Sequence, residues 1–186
     1  LAHALKTPLT VVMNAATAKA PDLSDTVIRE AAIMRRQVDH HLARARAVGR
    51  RAVGHARTNV WQSVEAVIRA VTRLHETTRF DRDGNREATV AIERQDLDEI
   101  FGNLMENAAK YGGGSVFVSI DQGSDPECCE IWIEDDGAGI PEEARTRIFD
   151  RGARLDTGKP GTGLGLAIVR DVVEIYGGTV ELGESE

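Results

Sequence analysis

Two apolar stripes, spaced by threes and fours and interrupted once by a proline-bearing break, occupy the first fifty residues and restrict what they can become. Leu1, Leu5, Leu9, Val12 and Ala16 form the first. Ile28, Ala31, Val38, Leu42 and Ala45 form the second, with Arg35 in one slot. Such spacing keeps one face of a helix apolar, as at the a/d seam of a bundle. Ala20-Pro21-Asp22-Leu23-Ser24-Asp25 breaks the pattern, and Ser24 or Asp25 can cap the second helix. So short a connection makes an antiparallel helical hairpin. Two helices of this length cannot bury both stripes alone, so a second copy is expected: a homodimer through residues 1–50, built as a four-helix bundle.

Gly49-Arg50-Arg51-Ala52-Val53-Gly54 has no periodicity and reads as the start of a linker, assigned to residues 51–57. Beyond it the pattern is mixed. Residues 60–74 have helical spacing and 88–92 look strand-like. Residues 96–111 make a strong helix entered through an Asp cap. Residues 116–120 and 130–134 alternate as half-buried strands. Residues 163–176 form a further helix, and 179–182 a closing strand after Gly177-Gly178. The fold class is therefore α+β: the hairpin, then an α/β sandwich over residues 58–186. The sequence ends directly after that last strand, so a terminal strand is expected to be missing.

Composition removes several functions. Among 186 residues the formal charge is −7 and the 23 Lys and Arg are scattered, which argues against a nucleic-acid surface. The two cysteines, Cys128 and Cys129, are adjacent and cannot staple distant segments, which suits a reducing compartment. No run of about 18 apolar residues is present, so no membrane contact is expected of these residues. Leu1 rather than Met opens the sequence, which reads as a piece of a longer protein; any signal peptide or anchor would precede it.

Four segments carry candidate chemistry. Asn103, Asn107 and Lys110 fall at i, i+4 and i+7, on one helical face, while Ile100, Leu104 and Ala108 lie on another. Carboxamide oxygens beside an ammonium suit a Mg²⁺–triphosphate, although a solvated polar stripe would look the same. Asp135-Asp136-Gly137-Ala138-Gly139-Ile140-Pro141 follows a strand. Its glycines admit a flat ligand, and its carboxylate can accept a bond from an exocyclic amine; an ordinary turn is the plainer reading. Gly161-Thr162-Gly163-Leu164-Gly165-Leu166 opens a helix and offers backbone N–H groups to phosphate. Its glycine spacing is wrong for a dinucleotide fold, and it lacks the Lys-Ser/Thr of a P-loop. Between these lies Arg147-Ile148-Phe149-Asp150-Arg151-Gly152-Ala153-Arg154, then residues 155–160. This stretch without periodicity suits a lid that offers Arg151, Arg154 and Lys159 to phosphates, or else a surface loop.

In this order and spacing the four segments resemble the N, G1, F and G2 boxes of the GHKL, or Bergerat-fold, ATP-binding family. The resemblance covers roughly residues 58–186 and implies ATP and Mg²⁺ as cofactors. It implies that Asn107 ligates Mg²⁺, with Asn103 and Lys110 near the phosphates. It places Tyr111 beside the adenine, Asp136 on its amino group, and Gly139 in the base pocket, with Ile140 and Phe149 also at the nucleotide. Gly161, Thr162, Gly163, Leu164, Gly165 and Leu166 would form the lid hinge and approach the phosphates.

His3-Ala4-Leu5-Lys6-Thr7-Pro8-Leu9 resembles the H box of sensor histidine kinases. A neutral imidazole, with an ordinary pKa near ~6.5, is a competent phosphoryl acceptor. His3 must then face away from the Leu1/Leu5/Leu9 seam. His40, His41, His55 and His75 read as ordinary surface residues. Pro8 removes one helical hydrogen bond and is expected to bend the helix. The residue after the acceptor is usually Glu or Asp; here it is Ala4, so proton removal falls to solvent or to a carboxylate such as Glu106. This feature, with the Arg-Ile-Phe-Asp-Arg-Gly segment, is similar to the PhoQ-like subgroup. Thr7, one turn on, matches the position associated with phosphatase activity. The resemblance implies autophosphorylation at His3 and transfer to an Asp of a response regulator receiver domain. It also implies a cytoplasmic fragment of a protein anchored in the bacterial membrane. The rivals are a GHKL ATPase, which usually carries Glu where Asn103 stands, and a non-catalytic ATP-binding dimerisation module.

Overall fold

The computed structural model describes residues 2–50, 57–122, 128–150, 152–153 and 163–184, with backbone alone at 2–4, 35–36 and 39–50. Gly54 of the linker, the His3 side chain, and Arg151, Arg154, Lys159, Gly161 and Thr162 therefore lie outside the residues, or the side chains, that it describes, whereas Gly49 and Arg50, read as the start of the linker, are the last residues of the helix Leu23–Arg50. The chain divides into two compact units, Leu1–Arg50 and Arg51–Glu186.

The smaller unit holds α1 (Ala2–Thr17) and α2 (Leu23–Arg50), which touch each other. α1 is continuous with Pro8 inside it. Its end is closed by Lys19, in the left-handed region at φ 49°, and by the Ala20 N–H on the Ala15 carbonyl at 3.0 Å. α2 starts earlier than Ser24 or Asp25 would set it. The residue before it is Asp22, whose carbonyl takes the Thr26 N–H at 2.9 Å and whose carboxylate accepts from the Thr26 hydroxyl at 3.5 Å. An Asp directly after Pro21 offers its acceptors to the first turn before Ser24 can. Pro8, Thr26 and Glu30 are buried in this unit, whereas Leu9, Met13 and Ile28 are exposed.

In the larger unit Asn59 caps α3 (Val60–Thr72) by accepting the Gln62 N–H at 2.9 Å. Val60, Val64, Val67, Ile68 and Val71 recur at helical spacing, and α3 buries that face. β1 (Thr58–Asn59) pairs antiparallel with β3 (Thr89–Val90). The strand expected over 88–92 is thus only two residues long. Beyond it the Ile92 carbonyl is taken by the Thr58 hydroxyl at 2.5 Å. The Gln122 side chain bonds both the N–H and the carbonyl of Thr89, at 3.2 and 3.1 Å, in place of a further strand.

The second sheet runs β2–β4–β5: β2 (Arg79–Gly84) is parallel to β4 (Ser115–Asp121), which is antiparallel to β5 (Glu130–Asp135). Val116, Val118 and Ile120 point into the core; Phe117 and Trp132 stand on the open face. α3 and α4 (Arg94–Tyr111) lie against this sheet, and α6 (Gly165–Ile175) lies against α4. α5 (Glu142–Arg145) is a single turn.

Two further expectations are corrected. Asp96 is not a cap: α4 begins two residues earlier after Glu93, which makes no side-chain capping bond. Asp96 is instead buried and accepts the Tyr176 hydroxyl at 2.5 Å. Residues 179–182 are not a strand among the described residues. Val180 packs on the core while Thr179, Glu181 and Leu182 are exposed, so the alternation reports burial without a ladder beside it.

Candidate nucleotide site

The C-terminal half of α4 meets the first turn of α6. Asn103 and Asn107 are half-buried there, and Asn103 is oriented by donating from Nδ2 to the Glu99 carbonyl at 2.8 Å. A Cβ added at Gly165 would stand 3.0 Å from Asn103 Oδ1 and 3.6 Å from Asn107 Nδ2. Glycine thus allows the opening turn of α6 to come right up to both carboxamides. Leu164, before that helix, gives no side-chain capping bond. The N-terminus of α6 is thus not closed by its own capping side chain, and it carries the positive end of the helix dipole, to which anions are attracted. Leu164 packs on the core and Leu166 is half-buried.

Gly163 and Gly152 both have positive φ, +65° and +81°, and the Gly152 N–H bonds the Gly163 carbonyl at 2.9 Å. A side chain at Gly163 would strike the Ala153 carbonyl oxygen at 2.6 Å. The two ends of the segment between them are therefore fastened together at the start of α6.

One turn further along α4, the Lys110 ammonium lies 5.0 Å from the centroid of the Tyr111 ring. Past Gly112 the chain turns into β4, and Asp136 closes that turn. Its Oδ1 accepts the N–H groups of Gly113 and Ser115 at 2.8 and 2.9 Å. The Ser115 bond is the chief reason the carboxyl is held below the usual carboxylate range, against the opposing effect of desolvation. Asp136 is thus an ionised acceptor at the end of β5, suited to an amine. Gly137 packs backbone to backbone here, since a Cβ would lie 2.8 Å from the Tyr111 carbonyl oxygen and 3.0 Å from Gly112 Cα.

Gly139 has φ +71°, and the Ile140 carbonyl after it accepts Arg145 Nε at 3.0 Å. Arg145 also pairs with Glu184 at 2.6 Å. Sequence reasoning missed Arg145; the only signal was its place one turn after Pro141, where its side chain can fold back on the loop. Phe149 is half-buried. The structure thus joins Asn103, Asn107 and Gly165 in one contact, Lys110 with Tyr111, and Asp136 with the turn after α4. Thr7 is exposed on α1, in the other unit.

Among the described residues no group of three His, Cys, Asp or Glu could hold a metal by itself. The Asn107 carboxamide oxygen is a hard, neutral donor close to the N-terminus of α6, a chemistry that fits a divalent ion.

This arrangement, with carboxamides on one helix facing the N-terminus of another and an acid at the end of a strand, defines a class. The chain belongs to the histidine kinase-, DNA gyrase B- and HSP90-like ATPase family, which matches residues 92–186. Across its whole length it is 38% identical to the two-component sensor PhoQ of Pseudomonas aeruginosa, covering 42% of that protein. It is 32% identical to the sensor protein PhoQ of Escherichia coli K12, covering 39% of it. The chain therefore spans about two fifths of the length of these curated relatives. Among solved structures, the mycobacterial sensor histidine kinase MprB aligns with TM-score 0.60 at 32% identity, over 67% of this chain and 81% of that one.

Proposed function

We propose that this chain is the catalytic portion of a two-component sensor histidine kinase: it binds ATP, phosphorylates His3, and passes the phosphoryl group to an Asp of a response regulator receiver domain. The observation that carries this is the contact of Asn103 and Asn107 with the opening turn of α6. It supports the reading because carboxamides and the N-terminus of a helix, which suit a divalent ion and phosphate, lie close together. The resemblance to about two fifths of the PhoQ sensors, along the whole of this chain, supports the extension from nucleotide binding to phosphotransfer.

In this reading Asp136 takes the adenine amino group, Tyr111 flanks the base, and Gly139 and Ile140 line its pocket. Lys110 and the N–H groups of α6 receive the phosphates. Arg151, Arg154, Gly161 and Thr162 join them from the lid, with Phe149 at its base. Asn107 holds Mg²⁺, which when bound neutralises charge on the transferring phosphoryl group. His3 Nε2 attacks the γ-phosphorus in line; an N–P bond forms, the bond from phosphorus to the bridging oxygen breaks, and ADP leaves. With Ala4 after the acceptor, the imidazole proton goes to solvent or to a carboxylate such as Glu106. Asn103, where an ATPase of this family needs a base for water, disfavours direct hydrolysis.

The smaller unit serves as the dimerisation hairpin, because Leu9, Met13 and Ile28 remain exposed on it. Thr7 positions water for dephosphorylating the partner. Among the described residues no helix is long and apolar enough to cross a membrane; the anchoring that the family uses belongs to other parts of such proteins.

Incubation with γ-labelled ATP tests the reading. Acid-labile, base-stable label is expected, absent in His3→Gln, and transferable to a receiver domain. Thr7→Ala is expected to label normally while slowing loss of phosphate from the receiver. Label that survives in His3→Gln, or release of free phosphate alone, would hand the function to a plain ATPase. A chain that binds ATP and shows neither would be a non-catalytic module.

A further inference from the structure

We infer that the hydrogen bond from Tyr176 to Asp96 sets the axial position of α6 against α4, making Tyr176 a positioning residue for the phosphate-binding end of α6; this rests on the nucleotide reading above. The two helices touch at both ends in opposite senses. Gly165 opens α6 beside Asn103 and Asn107, and Tyr176, just past its last residue, reaches Asp96 in the first turn of α4. Gly165 to Tyr176 is eleven steps, roughly 16 Å of helix, against seven and eleven steps from Asp96 to Asn103 and Asn107 on α4. Because α6 is one continuous helix, fixing its Tyr176 end constrains its Gly165 end.

The surface between those ends does not set the position by itself. Ile168, Val169 and Val172 of α6 share an apolar core with Leu97, Ile100, Phe101 and Met105 of α4. Apolar contact is non-directional, whereas a hydrogen bond has a narrow range of length and angle. Asp96 is 1% exposed and accepts the hydroxyl at 2.5 Å. Desolvation first, and then the Asp96 bond, push the Tyr176 hydroxyl well above its ordinary value, so it stays a protonated donor.

Tyr176 is itself held. The Gly177 N–H bonds the Glu174 carbonyl and the Gly178 N–H the Val173 carbonyl, both at 3.0 Å, with Gly177 at φ +79°. This is a Schellman closure, which fixes the direction in which the residue just before it leaves the helix. The chain from that closure to Gly165 is one helix, so the latch acts along it as a rod. Loss of the latch would let the first turn of α6 shift relative to Asn107 while the apolar core stays intact.

Tyr176→Phe in the 186-residue chain keeps the ring and removes the donor. Affinity for a non-hydrolysable ATP analogue is expected to fall roughly tenfold, the scale of one hydrogen bond to a charged acceptor. The rate of His3 labelling at saturating ATP is expected to stay within about twofold, because a shifted phosphate cradle weakens ATP binding more than the step that follows. Val64→Ala, on the far side of the core, serves as the control: it lowers thermal stability with ATP affinity unchanged. Asp96→Glu keeps the acceptor but displaces it by one methylene, and is expected to lose affinity while folding. It decides the matter should Tyr176→Phe not fold. Wild-type ATP affinity in either folded variant, or a loss no larger than that of Val64→Ala, overturns the latch. Failure of the unaltered chain to bind the analogue overturns the reading of the site, and the inference with it.

Discussion

The two units of this chain treat their apolar residues in opposite ways. The larger one buries Val60, Val64, Phe101, Met105, Val118 and Val169 almost completely, together with one acid, Asp96. The smaller one buries a threonine and a glutamate, Thr26 and Glu30, and leaves Ile28 66% exposed and Met13 60% exposed. Hydrophobic burial drives folding of both, so the difference teaches where the missing burial must come from. The larger unit closes a core of its own although it still exposes Leu74, Phe117 and Trp132; among the described side chains of the smaller unit no large apolar residue is fully buried, and Leu9, Met13 and Ile28 are exposed.

The strongest way to break that contrast is to open a hole in the larger unit. Phe101 is 1% exposed, in the core that joins α4 to α6 and the sheet. Phe101→Ala is expected to cost about 3–5 kcal/mol, a large part of a domain's whole stability. Calorimetry would show it as loss of the unfolding transition of the larger unit, and of ATP binding with it. A cost under about 1 kcal/mol would mean that this core is not what holds the unit together.

Ile28→Asp tests the other side. On an isolated helix pair, an exposed position tolerates such a change within about 0.5 kcal/mol. If a second copy covers it, the substitution puts a charge in an apolar interface and weakens self-association by roughly a hundredfold. Sedimentation equilibrium at several concentrations reads this directly. An unchanged monomer–dimer balance would remove Ile28 from the interface and leave its exposure unexplained by dimerisation.

The same contrast decides what could be read from sequence. Helices were legible wherever one face repeats at helical spacing, as in α3 and α4. The glycine-rich start of α6 was legible as a place where side chains are excluded, as the close approach of Gly165 to Asn103 shows. β2 was not legible. Its residues Arg79-Phe80-Asp81-Arg82-Asp83-Gly84 are mostly charged because it is an edge strand, and such strands are kept polar against mispairing. Asp96 was misread because an acid near a helix start looks like a cap. Its real partner, Tyr176, is 80 residues away and no local pattern reports it. The pairing of β1 with β3 was hidden for the same reason, since each strand has two residues and the partners are far apart in the sequence.

Acid sharpens the comparison with the smallest effect. Asp136 is held below the usual carboxylate range, so its contribution is fully present above the unfolded value of about 3.9 and is lost as pH falls through the lower folded value. The N–H groups of Gly113 and Ser115 report this, because both donate to its Oδ1. Their amide resonances are expected to move together in a pH titration, with a midpoint below about 3.9. Asp136→Asn is expected to abolish that titration and to weaken ATP binding at neutral pH, since an amide presents a donor where adenine also presents one. A midpoint at or above the ordinary value would show that the two backbone bonds do not favour the ionised carboxylate. The turn after α4 would then owe its shape to the close backbone packing of Gly112 and Gly137, and Asp136 would be free to serve the base alone.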